Sequence, residues 1–132
     1  MIGLDTNVVV RYVVQDDAEQ SARASALIDG LDEDDPGFVS LVVVLELYWV
    51  LRRAYQVSAE DAAAVVRGLL DAREIRVAEP DSVRRALDLV RDGVDFADAL
   101  VAELGQSAGC EWTATFDARA SHLPAMRLVP RS

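Results

Sequence analysis

Short apolar runs alternate with longer helical stretches along the chain. Met1 to Leu4 predicts a brief strand leading directly into Asp5. Asn7 to Val14 predicts a short helix. Asp16 to Leu31 predicts a longer one, with Ala24, Leu27, Ile28 and Leu31 at helical spacing. Asp32 to Gly37 is acidic and contains Pro36, so it reads as a solvated turn. Phe38-Val39 is a short strand, with Ser40 capping the next helix. That helix runs through Glu46 to Arg53, is apolar nearly all round, and is expected to be central. Ser58 to Asp61 has the serine-x-x-acid form of an N-cap and opens a helix ending near Asp71. Glu74 to Ala78 predicts a strand. Pro80-Asp81 opens a helix with Val83, Ala86, Leu87 and Val90 on one stripe. Asp95 to Gly105 is a further helix, with Gly105 or Gly109 near its end. Trp112 to Phe116 is a strand. A short helix and a strand near Met126 to Val129 complete the chain.

Short strands alternating with helices define an α/β fold. The expected core is a mainly parallel sheet of four to five short strands flanked by helices. No repeat, long linker or low-complexity tract divides residues 1–132, so a single domain is expected.

Composition adds further constraints. Half of the 132 residues, 52%, are hydrophobic, which argues against disorder despite a net charge of -10. No apolar stretch approaches the ~20 residues that span a bilayer, and no basic region precedes the first apolar run. A single cysteine, Cys110, excludes an internal disulfide, and together these features favour the cytoplasm. All 13 basic residues are arginine. The absence of lysine excludes chemistries that need one. The overall acidity means that any nucleic-acid contact relies on local arginines and on metal charge.

Four carboxylates interrupt sequence that otherwise forms core. Asp5 ends the first apolar run, and Glu46 lies among Val42, Val43, Trp49 and Val50 on its helix. Asp98 sits among Ala97, Ala99 and Ala102, and Asp117 follows Trp112 to Phe116. Buried carboxylates are costly unless paired or bound to a cation. Asp5 and Asp117 follow strands, where ligands bind in parallel sheets. Each of these has a structural alternative. Asp5 and Asp117 are good N-caps, as is Asp95 through Asp95-Phe96-Ala97-Asp98, and Glu46 pairs plausibly with Arg11 or Arg119. As a set they suit oxygen coordination of Mg²⁺ or Mn²⁺, while the lone His122 and Cys110 do not build an ordinary zinc site.

The chain resembles the PIN-domain ribonucleases, specifically the VapC-type toxins of toxin–antitoxin systems. The resemblance spans essentially the whole chain. It rests on Ile2-Gly3-Leu4-Asp5-Thr6-Asn7-Val8, Val44-Leu45-Glu46-Leu47-Tyr48-Trp49-Val50-Leu51, Asp95-Phe96-Ala97-Asp98-Ala99-Leu100 and Thr115-Phe116-Asp117. By resemblance, Asp5, Glu46, Asp98 and Asp117 form a catalytic quartet that holds Mg²⁺ or Mn²⁺, with Asp95 an additional acidic position. Thr6, Asn7 and Thr115 fall where small polar residues support the quartet.

The resemblance implies a metal-dependent endoribonuclease that hydrolyses RNA phosphodiester bonds through an activated water and leaves a 5′-phosphate. Arg11, Arg52, Arg53 and Arg119 are candidate phosphate contacts, with ordinary surface charge as the alternative for each. The implied partners are RNA, a VapB-like antitoxin and a second copy of the chain, the dimer surface coming from the first helices or from the helix carrying Val65, Val66 and Leu69. A phosphatase of the haloacid dehalogenase type needs a second aspartate where Asn7 stands, and a lysine. A phospho-receiver domain also lacks its lysine. The rival of a different class is a catalytically inactive PIN-fold binding module, which the acidity favours and the intact quartet opposes.

Overall fold

The computed structural model describes residues 1–131. The described chain carries six α-helices and five short strands, with a 3-10 turn at Ala120–His122. It divides into two compact units, Met1–Glu79 and Pro80–Ser132.

The first unit begins with β1 (Ile2–Gly3), α1 (Thr6–Val14) and α2 (Ala18–Asp29), followed by β2 (Gly37–Val39), α3 (Leu41–Arg53), α4 (Ala59–Asp71) and β3 (Ile75–Val77). The strands pair in the order β1-β2-β3, and every pairing is parallel. Ile2 lies opposite Gly37, and Gly37 opposite Ile75. Parallel neighbours require crossovers, and each pair of helices supplies one. Gly37 is where the sheet meets Leu4 and Leu31. A Cβ there would lie 2.7 Å from one Leu4 methyl carbon and 2.9 Å from one of Leu31.

Two serines start helices as the sequence implied. Ser40 Oγ accepts from Val43 N–H at 3.3 Å, and Ser58 Oγ accepts from Asp61 N–H at 3.1 Å. α3 departs from expectation, because it buries Val43, Val44, Leu47 and Leu51 but leaves Val42, Leu45 and Trp49 exposed. An all-apolar helix sequence does not state how many of its faces are covered.

The second unit comprises α5 (Pro80–Arg91), α6 (Phe96–Ser107), β4 (Thr113–Thr115) and β5 (Met126–Leu128). β4 and β5 pair in parallel, Ala114 opposite Arg127. The five parallel strands therefore pair in sets of three and two. The stripe Val83, Ala86, Leu87 and Val90 is buried as its spacing predicts. α6 extends past Gly105, and the chain turns at Gly109, whose φ of +93° favours glycine. Gly105 instead permits a close approach, since a Cβ there would lie 2.5 Å from Thr113 Oγ1 of β4. Among the described residues, no helix is long and apolar enough to cross a membrane.

Candidate functional site

Asp5 occupies the N-cap position of α1. Its carbonyl accepts from Val8 N–H at 3.1 Å and Val9 N–H at 3.2 Å, but its side chain makes no capping bond. The exposed carboxylate is therefore not committed to the helix that it starts. Thr6, the next residue, is buried, and its Oγ1 donates to Glu46 Oε1 at 3.1 Å. This bond ties the start of α1 to the middle of α3.

Glu46 itself is exposed, which corrects the sequence expectation. Its helix neighbours Val42 and Trp49 are exposed with it, so it lies on the uncovered face of α3. The burial cost that made Glu46 anomalous in the sequence does not arise. Nor does the ion pair considered with Arg11. Arg11 instead donates to Asp16 Oδ1 at 3.0 Å, Gln20 Oε1 at 2.8 Å and the Tyr55 hydroxyl at 3.2 Å. Tyr55 in turn donates to Asp16 Oδ2 at 2.6 Å. That hydroxyl is the main reason Asp16 is held below its ordinary value and Arg11 above its own.

In the second unit, Asp98 feels the charges of two other acidic residues, Asp95 and Asp117. Asp95 caps α6 by accepting from Asp98 N–H at 3.2 Å, so the capping alternative is realised at this position. Asp98 follows in the first turn and is partly buried. Burial pushes its carboxyl above the ordinary value, and the negative charges of Asp95 and Asp117 push it further. Asp117 lies beyond β4. Its Oδ1 accepts from Arg119 N–H at 2.8 Å and Ala120 N–H at 3.4 Å, which caps the 3-10 turn. Thr115 Oγ1 accepts from Asp117 N–H at 3.0 Å and holds the backbone there.

Asn7 has a different setting. It lines an open groove of about 390 Å³ with Val8, Arg11, Gln20, Arg23, Ala24 and Leu27. Two of the candidate phosphate contacts are engaged elsewhere. Arg52 donates to Val57 O at 3.0 Å, and the Arg53 guanidinium lies 5.8 Å from the Trp49 ring centre. Arg119 is exposed and forms no ion pair among the described residues.

Among the described residues, no three His, Cys, Asp or Glu side chains form a group that would hold a metal ion. The donor chemistry still suits a hard divalent cation. Carboxylate oxygens are the donors such an ion prefers; in the first unit Asp5 is uncommitted to capping, and in the second Asp98 is crowded by two like charges.

Parallel strands followed by carboxylates, with hydroxyls holding two of the acidic positions, define an acidic α/β domain. The family model described as PIN domain matches residues 2–126, and the chain belongs to that family. PIN domains are generally nucleases, and PIN nucleases typically use divalent metals. No match among curated proteins was found. Among solved structures the chain is similar to one in the crystal structure of VapBC2 from Rickettsia felis bound to a DNA fragment from their promoter. The identity is 16%, 98% of each chain is covered, and the TM-score is 0.38. A likeness of that size is too weak to carry a functional argument.

Proposed function

We propose that this chain is a metal-dependent endoribonuclease, the toxin of a VapBC-type pair. The observation that carries the reading is Asp98, whose carboxyl is raised first by burial and then by the negative charges of Asp95 and Asp117. Such crowding costs free energy unless a cation neutralises it. Within a nuclease family, that cost gives Mg²⁺ or Mn²⁺ a reason to bind.

Asp5 and Asp98 would be the principal ligands, with Glu46 and Asp117 completing the acidic set and Asp95 adjoining it. The metal, when bound, supplies neutralising charge to the phosphodiester and lowers the pKa of a coordinated water. The remaining work belongs to the chain's own side chains. Thr6 fixes one oxygen of Glu46, so that this carboxylate is oriented to accept a proton from an attacking water. Thr115 fixes the backbone from which Asp117 projects. Arg119, exposed and two residues after Asp117, would meet phosphate charge. In this reading residues 1–132 act as one domain in the cytoplasm, as a homodimer. A VapB-like antitoxin with a cationic segment suits the acidity of the toxin.

The test is cleavage of RNA by the purified chain with Mn²⁺ or Mg²⁺, with chelator as control. Asp5→Asn and Asp98→Asn should abolish cleavage and leave the fold intact. Equal cleavage by the wild type and both variants would mean a contaminant. That result would favour the inactive binding module.

A further inference from the structure

Two aromatic side chains flank β4 where a core strand would have hidden them. Trp112 precedes the strand and is 36% exposed, while Phe116 follows it and is 86% exposed. Arg127 of β5 lies opposite Ala114, and its guanidinium sits 5.4 Å from the Trp112 ring centre. Cross-strand partners share a face, and strand alternation places Trp112 on the same side as Ala114. The outer face of this two-stranded sheet therefore presents an aromatic ring with a cation over it. A second, almost fully exposed ring stands beside Asp117.

Charge separates this region from the rest of the molecule. The chain carries -10 overall, yet residues 111–131 hold Arg119, Arg127 and Arg131 against Glu111 and Asp117. Arginine beside exposed aromatic rings is the combination that binds single-stranded nucleic acid. The rings stack on bases, and the guanidinium groups meet phosphates. A neutral protein partner would use the rings but would gain little from the arginines, and an acidic one would use the arginines but leave the rings without bases to stack on.

We propose that the β4–β5 face is a stacking platform for single-stranded RNA, with Trp112 and Phe116 as base contacts and Arg127 as a phosphate contact. The proposal rests on the ribonuclease reading and adds to it a contact surface for the RNA beyond the acidic residues. Phe116 precedes Asp117 directly, so a base held there stays beside the acidic residues.

The experiment measures anisotropy of a fluorescein-labelled oligouridylate of about ten nucleotides in chelator, where cleavage does not intervene. The wild type should bind it more tightly than a duplex of equal length. Trp112→Ala with Phe116→Ala should weaken binding about tenfold or more. Arg127→Gln should reduce the salt slope by about 0.7. The chain has two tryptophans, so Trp49→Phe leaves Trp112 as sole reporter, and its fluorescence should fall on adding the oligonucleotide. No binding by the wild type, unchanged affinity in the double variant, or no change in Trp112 fluorescence would each overturn the platform. So would loss of self-association in the double variant with RNA affinity intact, which would make the face a contact between copies. Phe116→Ser alone decides the question if melting curves show that the Trp112 change unfolds the chain. Binding that depends on both rings, in a protein that cleaves no RNA, would defeat the nuclease reading and leave the platform standing.

Discussion

The buried hydroxyl of Thr6 donates to the exposed carboxylate of Glu46 at 3.1 Å, across 40 residues of sequence. One member of the pair is anchored in the core and the other faces solvent. The bond therefore limits where a surface carboxylate can swing. Thr6→Val keeps the shape of the anchor and removes the donor. Stability should fall by only about 1 kcal/mol. Cleavage should fall about tenfold, as for other residues that orient a metal-binding side chain. Thr6→Ser should keep most of the activity. Comparing kcat with the melting temperature across the three forms checks this, and a proportional loss of both would mean that Thr6 serves packing alone.

Asp98 makes a prediction whose sign is opposite to the usual one for an acid. Its folded carboxyl lies above its ordinary value of 3.8, mainly through burial and then through Asp95 and Asp117. The folded state therefore holds its proton more tightly than the unfolded state. Stability falls as pH rises from the unfolded value through the raised folded one, and the penalty is complete above that window. Asp98→Asn should raise the melting temperature in chelator at about pH 7 and change little at about pH 3. Thermal melts across this range decide it. Destabilisation by Asp98→Asn at neutral pH would contradict the crowding.

Metal should reverse that penalty. A ligand that binds only the folded state stabilises it by mass action. At about ten times its Kd, Mn²⁺ should raise the melting temperature of the wild type by about 5 °C. The Asp98→Asn variant should show little of this gain. Absence of any shift at millimolar Mn²⁺ would remove the metal from the proposed reaction.

Gly105 links the helix carrying Asp98 to the strand preceding Asp117. Alanine would ordinarily favour the helix by about 1 kcal/mol. Here its Cβ would meet Thr113 Oγ1 at 2.5 Å, and the β-branched threonine has little freedom to move. Overpacking of this kind costs about 1–3 kcal/mol, so Gly105→Ala should be destabilising on balance. Adding Thr113→Ala should recover the loss. Urea denaturation of the single and double variants measures the coupling, and an unchanged or raised stability in Gly105→Ala would refute the clash.

Much of the local structure was legible in the sequence because it depends on near neighbours. Ser40, Ser58 and Asp95 start helices by bonding to an amide three residues on, a relation visible in the chain itself. The stripe on α5 follows from spacing alone. Burial was less legible. The apolar run around Glu46 implied a helix covered on all sides, but a helix is covered only where another element packs, and nothing local says where. The aromatic residues around β4 misled for the same reason, reading as core while Phe116 stands in solvent.

The sequence by itself determined the α/β class, the order of elements and the acidic positions after β1 and β4. These rest on hydrophobic period, capping chemistry and residue identity, all of which act over a few residues. Only the tertiary structure decided which polar groups meet. It paired Thr6 with Glu46, diverted Arg11 to Asp16 and Tyr55, and brought Asp98 within reach of the charge of Asp117. Hydrogen bonds and charge interactions act over a few ångströms of space, and the packing of helices on strands sets which distant residues come that close.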